Sequence, residues 1–313
     1  MKVFLAGATG VIGRRLVPML VQGGHQVVAT TRTPSKVDRI VQLGAEPVLL
    51  DALDAQAVKE AISQAEPDVV VHQLTAIPSV VNPRRLDRDF ELTNLLRTQG
   101  TDNLFEAARA VGVRRIVAQS FAMWAYARTG GPIKTEEDPI EEDPPVSVRE
   151  TMAAIMHVEE VVAGADDLEG IALRYGGFYG AGTSLGAGAP MLDLIRKRRL
   201  PIVGDGGGVW SFIHVDDAAS ATVAAIERGT PGIYNITDSD PASVATWLPL
   251  LADALRAPAP RRVPAWLVRP FLGEAGVAMM TQVRGAANAK AKRDLGWNLR
   301  FPSWRDGFSQ GLE

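Results

Sequence analysis

Short apolar runs alternate with helix-period stretches through the first 175 residues, the pattern of successive βαβ units. Residues 3–6, 26–31, 47–50, 69–72, 115–120 and 171–175 read as strands. Between them, residues 13–22, about 35–43, 54–64, 93–111 and about 149–164 read as helices. Parallel strands need helical crossovers, and right-handed crossovers wind such units into one sheet covered on both faces. The expected fold class is therefore α/β, a doubly wound parallel-sheet Rossmann fold. After Tyr175 the pattern changes. Residues 176–188 are glycine-rich, a helix is expected over 191–199, and Gly204-Asp205-Gly206 marks a turn. The strand-like stretches 210–215 and 232–236 are expected to return to the main sheet. From residue 241 onward come helices punctuated by Pro258, Pro260, Pro264 and Pro270.

Composition narrows the class. The chain has 313 residues, 46% hydrophobic and 22% charged, which suits a globular enzyme and excludes a disordered chain. A net charge of −3 gives no electrostatic case for nucleic acid or an anionic membrane as partner. The basic run 196–199 reads as the last turn of a helix, where cations suit the dipole. The absence of cysteine excludes disulfides, thiolate catalysis and cysteine-bound zinc, and favours a cytoplasmic location. The four histidines show no metal-ligand spacing, so no metal is expected. The apolar start is broken by glycines and lacks a cleavage context, and residues 264–280 are too short and too interrupted to span a bilayer.

The sharpest chemical signal is Gly7-Ala8-Thr9-Gly10-Val11-Ile12-Gly13, between the first strand and the first helix. Gly7 permits a tight turn, Gly10 admits a pyrophosphate close to the backbone, and Gly13 packs helix against strand. The helix start then offers free N–H groups and a positive dipole end to phosphates. The second strand ends in Thr31-Arg32, where an NAD site places a carboxylate for the ribose 2′-hydroxyl. Thr31 repels nothing, and Arg32 can pair with a 2′-phosphate, with Arg14 close by. NADP(H) is thus expected over NAD(H). Asp51, past the third strand, is placed either to accept from the adenine amino group or to cap a helix.

These residues resemble the extended short-chain dehydrogenase/reductase family, the group of nucleotide-sugar epimerases and dehydratases. GATGVIG is similar to its fingerprint, and residues 70–75 to its fourth-strand segment. GTDNLFEAARAVGVRRIVAQS, LRYGGFYG, VGDGGGVWSFIHVDDAASA and AKRDLGW follow in the family's order, so the likeness covers essentially the whole chain. The resemblance implies an NAD(P)-binding domain over 1–175, with 208–237 returning to it, and a smaller C-terminal substrate-binding lobe over 176–207 and 238–313. It adds Leu74 and Tyr175 to the cofactor contacts.

It also implies a Ser/Thr with a Tyr-x-x-x-Lys, in which the tyrosine exchanges a proton and the lysine lowers its pKa and holds the nicotinamide ribose. This chain departs from that. RETMAAIMHVEEVV puts Thr151 and Ile155, or Met152 and Met156, at the two positions, and Ala122 falls at the serine site. An arginine that pairs with the substrate diphosphate in the family is replaced by Trp210. With Phe121, Trp124 and Phe178 it implies a relatively apolar substrate pocket.

Substitute acids are expected at strand ends, first Tyr126, with Ser120 beside it and Lys134 as its cation, then Tyr175; His157, on the helix beside the vacant lysine position, comes third. Asp216, in the run 214–217, is expected to cap a helix. The first functional reading is an NADP(H)-dependent oxidoreductase, epimerase or dehydratase acting on a small, fairly apolar metabolite. A non-redox isomerase or lyase and an NADP(H)-binding sensor stand as alternatives, and a homodimer is left open.

Overall fold

The computed structural model describes every residue except Ser79, Gly311 and Glu313. Its centre is a seven-stranded parallel sheet. The chain runs β1 (Lys2–Ala6), α1 (Gly13–Gln22), β2 (Gln26–Thr31), α2 (Val37–Gln42), β3 (Glu46–Leu49), α3 (Ala55–Ala65) and β4 (Val69–His72). It continues with α4 (Leu86–Asp89), α5 (Glu91–Arg97), α6 (Gln99–Ala110), β5 (Arg115–Phe121) and α7 (Arg149–Ala163). Strands Glu169–Tyr175 and Gly232–Ile236 complete the sheet beyond β5, and β4, β1, β2 and β3 follow on its other side. The doubly wound Rossmann-type fold expected from the βαβ pattern is the fold observed.

The near-continuous apolar strands have a simple cause. Successive side chains point to opposite faces, and both faces are covered. Val3, Leu5, Val69 and Val71 enter one core with α1 and the Val215–Arg228 helix. Phe4, Ala6, Val70 and Ile116 enter the other, with α3, α6 and α7. A third core joins Leu192, Ile202, Phe212, Trp247, Val277 and Phe308 beyond the carboxyl ends of the strands.

Three elements differ from expectation. Of the two returning stretches only Gly232–Ile236 joins the main sheet, beside Glu169–Tyr175. Phe212–His214 instead pairs in parallel with Gly177–Tyr179, and Val209–Trp210 runs antiparallel to Ala242–Ser243. The single helix expected over 93–111 breaks at Thr98 (φ −92°, ψ −86°). There the Thr98 hydroxyl donates back to the Asn94 carbonyl at 3.0 Å, a local bond that bends helices. Asp216 does not cap its helix. The His214 Nδ1 accepts from the Asp216 N–H at 3.2 Å, and Asp216 in the first turn pairs with Arg15.

At the end of β4 a buried imidazole sets the path of the following loop. His72 Nδ1 accepts from the Leu74 N–H (3.2 Å), so Nε2 carries the proton toward Thr101 Oγ1 (3.0 Å). Burial, then the neighbouring Arg97 charge, pushes this histidine down to about 4. Between pH 6.5 and 4 the unfolded chain binds a proton at His72 that the folded chain refuses. Stability is therefore full above 6.5 and falls as pH drops, by on the order of 3 kcal/mol. Urea unfolding across that window should show a shallower slope for His72→Gln than for wild type. Equal slopes would remove His72 from the account.

Candidate active site

The cofactor residues expected from the sequence converge on one cleft at the carboxyl ends of β1, β2 and β3. Gly7, Thr9, Gly10, Thr31, Arg32, Asp51 and Leu74 all line it. Gly7 holds φ +98°, a conformation L side chains avoid, and a Cβ there would meet the Gln73 carbonyl oxygen at 2.5 Å. A Cβ on Gly13 would stand 2.4 Å from the Gly7 carbonyl oxygen, so the absence of a side chain lets α1 begin against the loop. Val11 and Ile12 lead into α1, whose N-terminus has no side-chain cap; the Gly10, Arg14 and Arg15 N–H groups go to backbone carbonyls, which leaves those of Val11, Ile12 and Gly13 for an anion. Asp54 caps α3 by accepting from the Ala57 N–H at 3.0 Å. Asp51 is left in the cleft, where it closes a local turn with the Leu53 N–H. These features fit a dinucleotide pyrophosphate and an adenosine end.

Lys36 lines the same cleft and went unnoticed in the sequence. It follows Arg32 by four residues, in a 3-10 turn that leads into α2. Both cations are exposed, and neither forms an ion pair with a described residue.

The proposed acids are placed otherwise. Tyr126 is buried, donates to Asn235 Oδ1 at 2.6 Å and accepts from Arg174 Nη1 at 2.9 Å. Burial pushes its phenol up to about 12, against the pull of Arg174. Its cation is thus Arg174, while Lys134 pairs with Asp138. Ser120 donates to Glu159, the carboxylate that holds Arg174 in a two-pronged buried pair. Tyr175 is fully buried with its hydroxyl between Gln73 and Thr222, and burial pushes it up to about 12. His157 faces away from the strand ends to pair with Asp102 on α6 at 2.7 Å. The three hydroxyls are spent on packing and His157 is held by Asp102, so the geometry offers no strand-end hydroxyl as a donor to a ligand. Tyr175 is likewise no lining residue of the cofactor cleft.

The positions vacated by Tyr and Lys lie in an apolar cluster. Met152 and Ile155 pack with Trp124, Val148, Ala275, Ala278 and Val283, and Phe121, Met156 and Trp210 border them. Thr151 is the polar exception. Its hydroxyl donates to Asp87 and accepts from Asn94, while Asp87 also takes the Glu150 and Thr151 N–H groups at the start of α7. Asp87 is a second residue the sequence reading missed, because α4 is a single turn with no hydrophobic period. The structure brings Trp124 and Trp210 together here, with the Trp210 indole N–H on the Met279 carbonyl at 2.8 Å. Phe178 is elsewhere, packed on Tyr175 with ring centres 5.4 Å apart.

Residues 3–237 match the model of the NAD dependent epimerase/dehydratase family. A curated relative, the 3-diazoavenalumate denitrifying reductase of a Streptomyces species, is 44% identical over 99% of this chain and 100% of its own length. Among solved structures, the UDP-glucose 4-epimerase of Thermotoga maritima with UDP-glucose aligns with a TM-score of 0.77 at 21% identity, over 100% and 97% of the two chains. Human epimerase family protein SDR39U1 with NADPH aligns at 0.75 and 19% identity, over 100% and 99%. At those identities the two structures speak to the fold.

Proposed function

This chain belongs to the NAD dependent epimerase/dehydratase family, and from that premise we propose that it is an NADP(H)-dependent reductase whose substrate is reduced without a proton from the protein. The observation that carries the reading is the apolar cluster where the proton relay would stand: Met152, Ile155, Trp124 and Trp210 pack there, and Tyr126, Tyr175, Ser120 and His157 are committed elsewhere. A ketone reduced there would leave an alkoxide unprotonated and unsupported. The 44% identical relative is named for a diazo substrate and its denitrification. The reduced nicotinamide, when bound, supplies a hydride equivalent, and for a diazonium group that suffices: R–N₂⁺ plus hydride gives R–H plus N₂, with no proton to find. Residues 176–207 and 238–313 are read as the lobe that closes on the substrate. Against its Ala275 and Ala278, the indoles of Trp124 and Trp210 offer flat apolar surface and exclude water.

An arenediazonium carboxylate and an aryl ketone, offered separately with NADPH and compared with protein-free controls, distinguish the cases. Nucleotide oxidation matched by nitrogen release is expected with the first and none with the second. Turnover of the ketone alone would overturn the reading.

The preference for NADP(H) rests on Thr31, Arg32 and Lys36 at the rim of the cleft, where β2 ends in threonine and arginine rather than in a carboxylate. Arg32→Ala should weaken NADPH binding by about 1–3 kcal/mol, the range for a charge-assisted contact, and barely change NADH. Equal losses for both nucleotides in calorimetry would sink the 2′-phosphate assignment.

A further inference from the structure

Arg97 is a buried guanidinium without a counter-charge. It is 5% exposed, its Nη1 is buried with no hydrogen-bond partner, and no carboxylate among the described residues pairs with it. Burial alone pushes it down to about 10. Taking a charge out of water without a partner is among the most costly things a fold can do. Every other deeply buried arginine here is satisfied: Arg115 by Glu169 and two carbonyls, Arg174 by Glu159 and Tyr126.

Its position follows from the bonds on either side of it. On one face of α5 and α6, Thr93 Oγ1 accepts from the Ala76 N–H, and Thr101 Oγ1 meets His72. Arg97 lies between these threonines, close enough to His72 for its charge to act on that imidazole, and its neighbour Leu96 lines the cofactor cleft beside residues 73–75. Toward α7, Asn94 bonds Thr151 and Asp102 bonds His157. Those two contacts run in the same direction and set Arg97 beside the stretch of α7 between Thr151 and His157, which holds both candidate lysine positions, Ile155 and Met156.

We propose that Arg97 binds an anionic oxygen, carboxylate or phenolate, of the substrate at the inner end of the crevice, while the apolar cluster of Trp124, Trp210, Met152 and Ile155 holds its aromatic body. This makes the substrate an aromatic anion, and it rests on the reading of the crevice as a substrate site. The choice of a substrate anion over a cofactor group follows from charge. The glycine loop and the Arg32–Lys36 rim already meet the phosphates, and a ribose offers hydroxyls that neutralise nothing.

The test is a binding measurement that needs no turnover, so it stands apart from the diazo assay. Cinnamate and its uncharged analogue cinnamamide are titrated into protein saturated with NADP⁺, with tryptophan emission as the signal. Wild type should prefer cinnamate by roughly 10–100-fold, the range for a hydrogen bond to a charged group. Arg97→Met should abolish that preference, keep cinnamamide and NADP⁺ binding within about threefold, and unfold no more easily than wild type, because it removes an uncompensated charge. Arg97→Lys should restore part of the preference. Equal binding of the two probes by wild type would overturn the proposal. So would an NADP⁺ affinity lost in Arg97→Met, which would make the arginine a cofactor contact, or a marked fall in its stability, which would make it structural.

Discussion

Replacing Arg174 by leucine should destabilise the fold by about 3–5 kcal/mol, the cost of stranding one member of a buried ion pair. Arg174 and Glu159 are 2% and 4% exposed. The guanidinium spends Nε and Nη2 on the carboxylate at 2.7 and 2.5 Å, and Nη1 on the Tyr126 hydroxyl at 2.9 Å. That hydroxyl in turn donates to Asn235, so the network ties β5, α7 and the two outer strands together. Without the arginine, Glu159 keeps only the Ser120 hydroxyl as partner in the interior. Changing Glu159 and Arg174 together to leucine should cost less than Arg174→Leu alone, since no charge is then stranded. Urea unfolding of the three proteins decides it. A loss below about 1 kcal/mol in the single variant would mean that water reaches the pair.

Gly7→Ala should lower affinity for either nicotinamide dinucleotide by about 100-fold or more, the product of backbone strain and a clash that each cost about 1–3 kcal/mol. The φ of +98° is strained for alanine, and its Cβ would press on the Gln73 carbonyl at 2.5 Å. Relief requires β1 and the β4 loop to part at the place where both line the cleft. Gly10→Ala makes a useful contrast. A Cβ there meets only the Gly7 oxygen, at 3.2 Å, so folding should survive while the phosphate approach suffers. Calorimetry with NADPH and NADH checks both variants. Wild-type binding by Gly7→Ala would show that the loop does not hold the pyrophosphate.

The central sheet could be read from the chain because a strand buried on both faces is marked by an unbroken apolar run, as at residues 69–72, and bounded by helix-period stretches. Gly7 and Gly13 could be read because a backbone conformation restricts residue type directly. What failed was anything decided by direction. Tyr126, Ser120 and Tyr175 do stand at strand ends, as expected, yet Arg174, Glu159 and Gln73 draw their hydroxyls into the interior. No local pattern encodes that. No local pattern around Arg97 marks it as buried, and only the packing of α5 between the β4 loop and α7 shows that it is. Lys36 was within reach, four residues beyond an arginine already singled out.

The core that β1 helps to build is closed by residues made almost 300 positions later. Ala291, Leu295 and Trp297 pack with Val3 and Leu5 in one cluster, and the Asp217 carboxylate grips the Arg300 and Phe301 N–H groups at 2.7 and 2.8 Å. A chain emerging from the ribosome therefore covers this face first with α1 and the Val215–Arg228 helix, and seals the remainder only once residues 291–301 are made. Until then part of the apolar surface stays open to water, and the speed of synthesis between residues 229 and 301 sets how long that exposure lasts.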